Sequence, residues 1–343
     1  MYNVNHTLCF LTVLLGTLFL GGCSADEELP AVPSEGIVPV RFEITSENLA
    51  FTRVPGDATL SANRILILPF VKTNESQGNN ADNFTPVYSA AKELDATSFP
   101  VVGTMLNLSA ASTYQIAVVG YNQNDYDFTN PASPSRRFDI GSATTPITLA
   151  NLYLKPVSPV SVPEFFTCIG NAYSVSGASQ GTAFKPGQTK YVTGSLTRIV
   201  SGLTLNITGI PGYITSITLV AERLVTASKS TDGTPLLMQT AGDAGLKVFE
   251  TQVPIAGSVS FNKLVLPTMD AQNTLLYLDV KYGIFTDRYT VKVPDMAGVS
   301  AANRLTFNPN HQVNITGIYS SINFGFTLSE TINLDDNAWD GLQ

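Results

Sequence analysis

Charged side chains are scarce in this 343-residue chain, and basic ones are fewer than acidic ones. Asp, Glu, Lys and Arg make up 13% of the residues, against roughly 25% in an average soluble protein. The 19 basic and 27 acidic residues leave a formal net charge of −8, and Lys and Arg form no cluster in the sequence. Binding to nucleic acid or to an anionic membrane surface draws on such clusters. The composition therefore argues against both, and we expect no nucleic-acid partner.

The sequence also lacks a hydrophobic run long enough to cross a membrane. Its apolar N-terminal stretch covers only residues 8–20, whereas a membrane-spanning helix needs about 20 residues. A short run at this position is typical of a signal peptide, which directs export and is then removed.

The apolar run ends in Leu20-Gly21-Gly22-Cys23, the pattern of a bacterial lipoprotein signal. An aliphatic residue three positions before the cysteine, with small residues between, lets the signal peptidase fit the backbone and leaves the thiol open to acylation. We expect residues 1–22 to be the signal peptide and Cys23 to be lipidated. Residues 1–7 depart from the pattern because they contain no Lys or Arg. The alternatives are an ordinary secretory signal with a chance cysteine, or an uncleaved anchor.

Residues 23–36 have the composition of a tether. Asp26, Glu27 and Glu28 follow the cysteine closely, and Pro30 and Pro33 come next. Such a segment buries little apolar surface and stays extended.

Cysteine and histidine are nearly absent from the remainder of the chain. Cys9 lies in the signal peptide and Cys23 would carry lipid, so Cys168 is the single other cysteine, and His311 is the single histidine beyond His6. An internal disulfide and a Cys-based zinc site are thereby excluded. We expect no metal and no cofactor.

What the chain does contain is short runs of β-branched and aromatic residues, separated by Gly, Pro, Asn and Asp. We predict an all-β protein without long helices. The strands of the first half are predicted at 37–45, 64–72, 99–108, 113–121 and 146–154. Those of the second half are predicted at 193–208, 214–227, 245–253, 258–266, 273–285, 287–293, 312–320 and 322–334. Three prolines within 155–163 indicate a linker, which divides the chain into an N-terminal domain, 37–157, and a C-terminal domain, 158–343.

Candidate catalytic residues are few, and each has a plainer interpretation. Ser179 lies in a G-x-S-x-G pattern, but the hydrolase elbow needs a following helix, and Pro186-Gly187 comes soon after. His311 is better interpreted as a turn residue that opens a strand. We therefore predict no catalytic residue, and a protein that is not an enzyme.

Candidate ligand-binding residues are equally weak. Residues 122–127 begin like a calcium loop but lack its glycine and its final carboxylate, so a polar turn is favoured. The C-terminal Asp335, Asp336 and Asp340 resemble solvated terminal residues more than a cation site. Tyr121, Tyr126 and Phe128 could form a sugar-binding platform, although packing in a core is favoured.

Four stretches together resemble the fimbrillin superfamily, in particular its anchor and accessory lipoproteins. They are the strand 113–122 that ends in a polar turn, the Leu196-Thr197-Arg198 motif, the Leu266-Pro267-Thr268 element, and the closing run from Phe307 to Trp339-Asp340-Gly341. Each is weak alone, and their order together with the lipobox carries the resemblance.

This resemblance implies two consecutive transthyretin-like β-sandwiches, export to the outer membrane, display at the cell surface and a role in cell adhesion. The implied partners are other fimbrial subunits and the outer membrane itself, reached through the N-terminal lipid. The acidic run after Cys23 is similar to the signal that moves such lipoproteins outward, or is simply a solvated tether.

The resemblance also implies that the protein is either cleaved by a protease, as a stalk or tip subunit, or left intact, as an anchor. In stalk subunits of this superfamily a trypsin-like protease cuts after an arginine and removes the first strand, and a neighbouring subunit then fills the groove by β-strand addition. Arg41 lies inside the predicted first strand, whereas Arg53 precedes an accessible turn, Val54-Pro55-Gly56. Cleavage at Arg53 would make the protein a stalk or tip subunit, and an intact chain would be an anchor. A surface glycan-binding lipoprotein with β-sandwich modules is the alternative from another class.

Overall fold

The structure is a computed structural model, which describes residues 36–44, 62–95, 101–126, 138–238, 245–268, 274–293, 303–319 and 325–333. Outside the described residues lie the predicted signal peptide, the predicted tether up to residue 35 with Cys23, Arg53, Phe128 and the C-terminal aspartates.

The described residues form 24 strands and four short 3-10 helices, which confirms the predicted all-β class. The first twelve strands are β1 (Ile37–Ile44), β2 (Arg64–Lys72), β3 (Phe84–Pro86), β4 (Lys92–Asp95), β5 (Val101–Ser109), β6 (Tyr114–Tyr121), β7 (Phe138–Asp139), β8 (Tyr153–Leu154), β9 (Phe166–Ile169), β10 (Asn171–Ser174), β11 (Ser179–Gly181) and β12 (Thr189–Gly194). The others are β13 (Thr197–Arg198), β14 (Ser201–Thr208), β15 (Ile214–Glu222), β16 (Val225–Lys229), β17 (Pro235–Met238), β18 (Lys247–Gln252), β19 (Val259–Val265), β20 (Thr274–Tyr282), β21 (Phe285–Thr290), β22 (Arg304–Leu305), β23 (His311–Ile318) and β24 (Gly325–Asn333). The 3-10 helices are Ala81–Asn83, Tyr88–Ala90, Leu149–Asn151 and Pro186–Gln188.

The N-terminal sandwich packs two sheets face to face. Sheet I has the order β11-β10-β12-β1-β5, and sheet II has the order β13-β9-β6-β2-β3, with β4 also paired to β2. Alternating side chains from both sheets meet in one core, including Val40 and Leu106 from sheet I and Ile67 and Ile116 from sheet II. Period-two alternation in the sequence places one face of each strand in this core.

The C-terminal sandwich repeats the arrangement with its own core. Sheet III has the order β19-β14-β23-β24, and sheet IV has the order β18-β15-β20-β21, with β22 paired to β20. Leu205 and Phe261 of sheet III pack against Leu219 and Leu278 of sheet IV.

A small sheet and a third core join the two sandwiches. Sheet V, ordered β17-β16-β8-β7, pairs β8 from the first half with β16 from the second. The outer face of sheet II is covered here, because Leu68 and Val119 pack with Phe138, Phe165 and other residues of the connecting segments. Central strand β6 is consequently buried along its whole length.

A buried ion pair lies at this junction. Arg198 Nε donates to Glu164 Oε1 at 2.7 Å, and both side chains are 2% exposed. Arg198 Nη1 also donates to Asn310 Oδ1 at 3.3 Å, and the guanidinium lies 4.9 Å from the centre of the Phe166 ring. Asn310 belongs to the second half of the chain, so Arg198 connects the two sandwiches.

Four predicted strands differ from the structure, and several observed strands, such as β9 and β10, were not predicted. Residues 214–227 are β15 in sheet IV and β16 in sheet V, because the chain turns at Arg223, whose φ is +66°. Residues 193–208 are not one strand but the end of β12, then β13 and β14, because the chain passes from sheet I through sheet II to sheet III. Residues 146–154 contain a 3-10 helix and only the short β8. Residues 273–285 are β20 and the first residue of β21, since Gly283, at φ +55°, turns the chain back.

The chain continues to contribute strands to the N-terminal sandwich beyond the predicted boundary between residues 157 and 158. Strands β9, β10 and β12 come after residue 158, yet β9 pairs with β6, and β12 pairs with β1. The prolines of 155–163 interrupt strand pairing, but the chain then returns to the N-terminal sheets and leaves them only after β13.

Candidate functional site

Strand β1, the first strand after the predicted tether, is an interior strand of sheet I, next to the edge strand β5. It pairs antiparallel with β5 on one side and parallel with β12 on the other. Arg41 thus has Met105 on one side and Tyr191 on the other. A strand with two neighbours has its backbone groups used in both ladders, so β1 is an integral part of the sheet.

The side chains of β1 alternate between core and solvent. Val38, Val40, Phe42 and Ile44 are at most 7% exposed. Ile37, Pro39 and Arg41 point to the outer face and are exposed. Burial of a large apolar side chain contributes about 1.5–3 kcal/mol to the free energy of folding. These four side chains therefore account for much of the free energy that keeps β1 in the sheet.

Three glycines make the groove that receives Phe42. A β-carbon added to Gly170 would lie 3.0 Å from Phe42 Cε2, and one added to Gly194 would lie 3.3 Å from Phe42 Cζ. A β-carbon on Gly103 would lie 2.6 Å from the carbonyl oxygen of Phe42. The groove is therefore shaped for an aromatic ring in the first strand. Sequence reasoning missed this feature, because the three glycines are far apart in the chain.

In the sequence, the predicted tether, residues 23–36, directly precedes this strand. Gly36 precedes Ile37, and its carbonyl oxygen accepts a hydrogen bond from the amide of Ala110 at 2.8 Å. Cys23 lies thirteen residues before Gly36 in the sequence, which gives a reach of at most about 45 Å when fully extended.

Arg41 and Arg53 are the two candidate sites for proteolytic processing. Arg41 lies within β1, where its backbone has a strand on either side, and its side chain forms an ion pair with Glu43. A protease needs an unpaired extended segment, so the position of Arg41 is a poor substrate while β1 is in place. Arg53 lies outside the described residues.

The candidate nucleophile and base are placed in different sheets. Ser179 lies in the short hairpin β10–β11 at the edge of sheet I, where Asn171 Nδ2 donates to its Oγ at 3.1 Å. A hydrolase elbow requires a strand–turn–helix, whereas Ser179 lies in a strand–turn–strand. His311 opens β23 in sheet III, and its Nδ1 lies 2.7 Å from the carbonyl oxygen of Pro309.

Tyr121 and Tyr126, two of the three aromatic residues considered for a sugar-binding platform, pack in a core. Tyr121 and Tyr126 are 2% and 1% exposed, and the Tyr126 ring stacks on Phe138 with centroids 3.8 Å apart. The turn between them is polar, with the amide of Asn124 donating to Asn122 Oδ1. These tyrosines are not available to a sugar.

In the described part of the chain, no three His, Cys, Asp or Glu side chains are grouped so that they could hold a metal ion. None of the helices in the same ranges has the length and apolar character needed to cross a bilayer.

Comparison with known proteins gives likenesses of fold. No protein-family model matches the chain, and no curated protein matches it significantly. Among solved structures, it is similar to the fimbrial anchor protein Mfa2 from Porphyromonas gingivalis, with 11% identity, a TM-score of 0.44, and coverage of 86% of this chain and 97% of Mfa2.

Two further structures cover similar shares of the chain. The tip fimbrial protein Mfa3 from Porphyromonas gingivalis, with a C-terminal truncation, is 10% identical with a TM-score of 0.45, and covers 85% of this chain and 99% of its own. A candidate polysaccharide-binding protein from Bacteroides thetaiotaomicron is 11% identical with a TM-score of 0.48, at 85% and 98% coverage. The neighbours thus include fimbrial anchor and tip proteins, the kind of protein that the sequence resembles, but likenesses at this level establish no function for this chain.

Proposed function

We propose that the protein is a non-enzymatic structural subunit of cell-surface fimbriae, held on the outer membrane as an anchor or accessory subunit by lipid on Cys23. The observation that carries the proposal is the placement of β1. The predicted tether, residues 23–36, ends directly at a strand that lies between two neighbours and buries four apolar side chains.

This placement suits a subunit that bears tension. Hydrogen bonds between antiparallel strands lie perpendicular to the strands, so a pull along β1 from the membrane loads the whole β1–β5 ladder in shear. An N-terminal strand at a sheet edge would resist the pull through hydrogen bonds to one neighbouring strand, whereas β1 is hydrogen-bonded to two, β5 and β12. The lipid itself contributes about 0.8 kcal/mol for each buried methylene, and durable attachment takes more than one chain.

A processed stalk or tip subunit is the alternative within the same function. Cleavage at Arg53 would release β1 and open a groove between β5 and β12, lined by side chains such as Leu106 and Val192 that are now buried. A strand from a neighbouring subunit would then restore both ladders by β-strand addition. In either form the partners are other fimbrial subunits.

A glycan-binding surface lipoprotein remains the alternative from another class, and one observation favours it. Tyr173 and Tyr191 stack with ring centroids 4.9 Å apart on strands β10 and β12 of sheet I. Tyr191 is in register with Arg41, so an aromatic pair and a cation lie side by side on this sheet face.

The N-terminus of the protein extracted from cells tests the proposal. An anchor has a blocked, lipidated Cys23, and Cys23→Ala releases the protein from the membrane fraction. A processed subunit has a free Val54, and Arg53→Ala abolishes that product while Arg41→Ala leaves it unchanged. A purified chain that binds a polysaccharide, together with normal fimbriae after deletion of the gene, would overturn the fimbrial function.

A further inference from the structure

Strand β5 forms one edge of sheet I, and its sequence has none of the features that usually protect a sheet edge. Natural proteins protect such edges with charged residues, proline or short strands. The nine residues of β5, Val101–Ser109, include no Asp, Glu, Lys, Arg or Pro. This edge is therefore open to pairing with a further strand.

The other edge strands of the described ranges are protected. Those with six or more residues contain charged residues: Lys247 and Glu250 in β18, Lys263 in β19, Asp287 and Arg288 in β21, and Glu330 in β24. The remaining edge strands have at most four residues. Among the described strands, β5 is thus the exception.

Alternate backbone groups of β5 point away from β1. The amide of Ala110 donates to the carbonyl oxygen of Gly36 at 2.8 Å, in continuation of the antiparallel β1–β5 register. Because hydrogen-bonded and non-hydrogen-bonded pairs alternate in such a ladder, the even-numbered residues 104–108 bond to β1. The amide and carbonyl groups of Met105 and Asn107 therefore face the free edge.

The next odd-numbered residue confirms this direction. The amide of Ser109 donates to the hydroxyl oxygen of Tyr114 at 3.2 Å, and Tyr114 belongs to β6 of the other sheet. Among the described strands, β5 has no neighbour on that side. Unpaired donors and acceptors in a row along a strand are the groups that an added strand bonds to.

The side chains beside this edge define the chemistry of its occupant. Leu106 and Leu108 are 0% and 2% exposed and belong to the core of the N-terminal sandwich. Met105 and Asn107 point to the outer face, where Met105 is 49% exposed. An added strand with apolar residues on its inner face would extend the core, and β5 offers no charge to pair with a charged partner.

Two connections that adjoin β5, residues 45–61 and 96–100, lie outside the described residues. Both begin or end near Val101, since Ile44 at the end of β1 is in register with Val101. Met105 lies roughly 13 Å along the strand from there, at 3.3 Å per residue. The segment from Met105 to Ser109 is the half of the edge that lies away from these connections.

We propose that the free edge of β5, from Met105 to Ser109, accepts an extended, uncharged strand of another protein subunit. This rests on the proposed function, because an intact anchor keeps β1 in sheet I and strand addition then needs a different edge. A second copy is a poorer occupant. Two-fold pairing would join the two β5 strands antiparallel, and the two lipid tethers would leave in opposite directions.

Photocrosslinking in intact cells tests this edge with the full-length protein. We place p-benzoylphenylalanine at Met105, or at Val248 as the matched control, which is 56% exposed on the charged edge strand β18. The expected result is an adduct with one other protein at position 105 and none at position 248. Adducts at position 105 with a second copy, with lipid, or with residues 45–61 or 96–100 of the same chain would overturn the proposal, and so would no adduct.

The crosslinked protein is then purified and used as the binding probe. Asn107→Pro removes an amide that faces the free edge and leaves the amides that bond to β1, whereas Asn107→Ala keeps all of them. We expect Asn107→Pro to weaken binding by about tenfold or more, because its ring also blocks the edge, and Asn107→Ala to leave the Kd unchanged. Met105→Lys, which adds a charge to the edge, should weaken binding even if Asn107→Pro does not fold. Equal binding by all variants with the wild-type melting temperature would contradict the site.

Hydrogen exchange distinguishes strand addition from contact through side chains alone. The amides of Met105 and Asn107 should exchange more slowly when the probe is bound, whereas those of Leu106 and Leu108 are already bonded to β1 and should change little. Unchanged exchange at positions 105 and 107 in the bound protein would overturn the proposal.

Failure of the tether is read separately in Cys23→Ala cells. If that variant stays in the membrane fraction, the proposed lipid anchor fails, whatever the crosslink shows. If it is released and position 105 gives no adduct in the wild-type background, the anchor stands and only the strand-addition site fails.

Discussion

Phe42 packs against the backbone of Gly170, with its Cε2 atom 3.0 Å from the position that a β-carbon on Gly170 would take. The two residues are far apart in sequence, in β1 and in the connection between β9 and β10. Their contact shows how closely the first strand is fitted to its sheet.

We expect Gly170→Ala to destabilise the protein by about 1–3 kcal/mol, the usual cost of overpacking a core. The new methyl group would lie 2.7 Å from Val192 Cγ1 as well as against Phe42. Urea unfolding of the purified protein measures the change. Gly212→Ala is the matched control, because a β-carbon there meets nothing within 4 Å. Equal urea midpoints for the two variants would show that the groove around Phe42 has room for an added methyl group.

A double-mutant cycle separates contact with β1 from general crowding. Phe42→Leu removes ring atoms that the Gly170→Ala methyl would meet, so the double variant should lose less stability than the sum of the two single variants. If the losses of stability of the two single variants simply add, the Gly170→Ala methyl group would be crowding Val192 and not Phe42.

Parts of this arrangement could be predicted from the sequence. Runs of β-branched and aromatic residues predict β1 within one residue, and β2 at its observed bounds of Arg64–Lys72. The parallel pairing of β1 with β12 and the glycines around Phe42 could not be predicted, because they join segments more than 50 residues apart and leave no local pattern.

The candidate site was only partly predictable for the same reason. A lipobox is a local signal and needs no fold to be recognised. By contrast, the connections 209–213, 253–258 and 283–284 each look like an ordinary turn, and only strand register brings Ile255, Ile284 and Ile318 to one end of the C-terminal sandwich.

The Arg198–Glu164 pair gives a prediction about the junction of the sandwiches. We expect Arg198→Met to destabilise the protein by about 3–5 kcal/mol, since it leaves the Glu164 carboxylate buried without its cation. Arg198→Met combined with Glu164→Leu should recover much of the loss, because no buried charge then remains.

An exposed pair on sheet IV is the control for this experiment. Arg288 contacts Asp279 at 2.6 and 2.7 Å, with the arginine side chain 42% exposed. Removal of such a surface pair costs about 0–1 kcal/mol, so Arg288→Met should shift the urea midpoint little. A similar loss for both arginines would mean that burial does not govern the junction pair.

Cys168 gives a prediction about thiol reactivity. Burial raises the pKa of its thiol to about 12, and the thiolate is the reactive form. In a Cys9→Ala, Cys23→Ala protein at pH 8, we expect Ellman's reagent to label Cys168 far more slowly in the folded state than in 6 M urea. Equal rates would show that the sulfur, which lies 2.8 Å from the β-carbon position of Gly194, is open to solvent.

Tyr319, which directly follows β23, gives a prediction about alkaline pH. Burial, and then the nearby Tyr213 and Tyr289, raise its pKa to about 12 in the folded protein, whereas the pKa of an unfolded tyrosine is about 10. Below pH 10 both states keep the proton, and the stabilising contribution is fully present. As the pH rises from 10 to 12, the unfolded chain releases the proton first, so this contribution is lost.

The free energy of unfolding should therefore fall between pH 10 and 12, and Tyr319→Phe should reduce that slope by up to one proton. Urea unfolding at pH 9, 10 and 11 measures both slopes, and absorbance at 295 nm follows the ionisation directly. An identical slope in wild type and Tyr319→Phe would mean that the hydroxyl is already exposed to water, and that Tyr319 is packed less closely against Tyr213 and Tyr289 than the structure indicates.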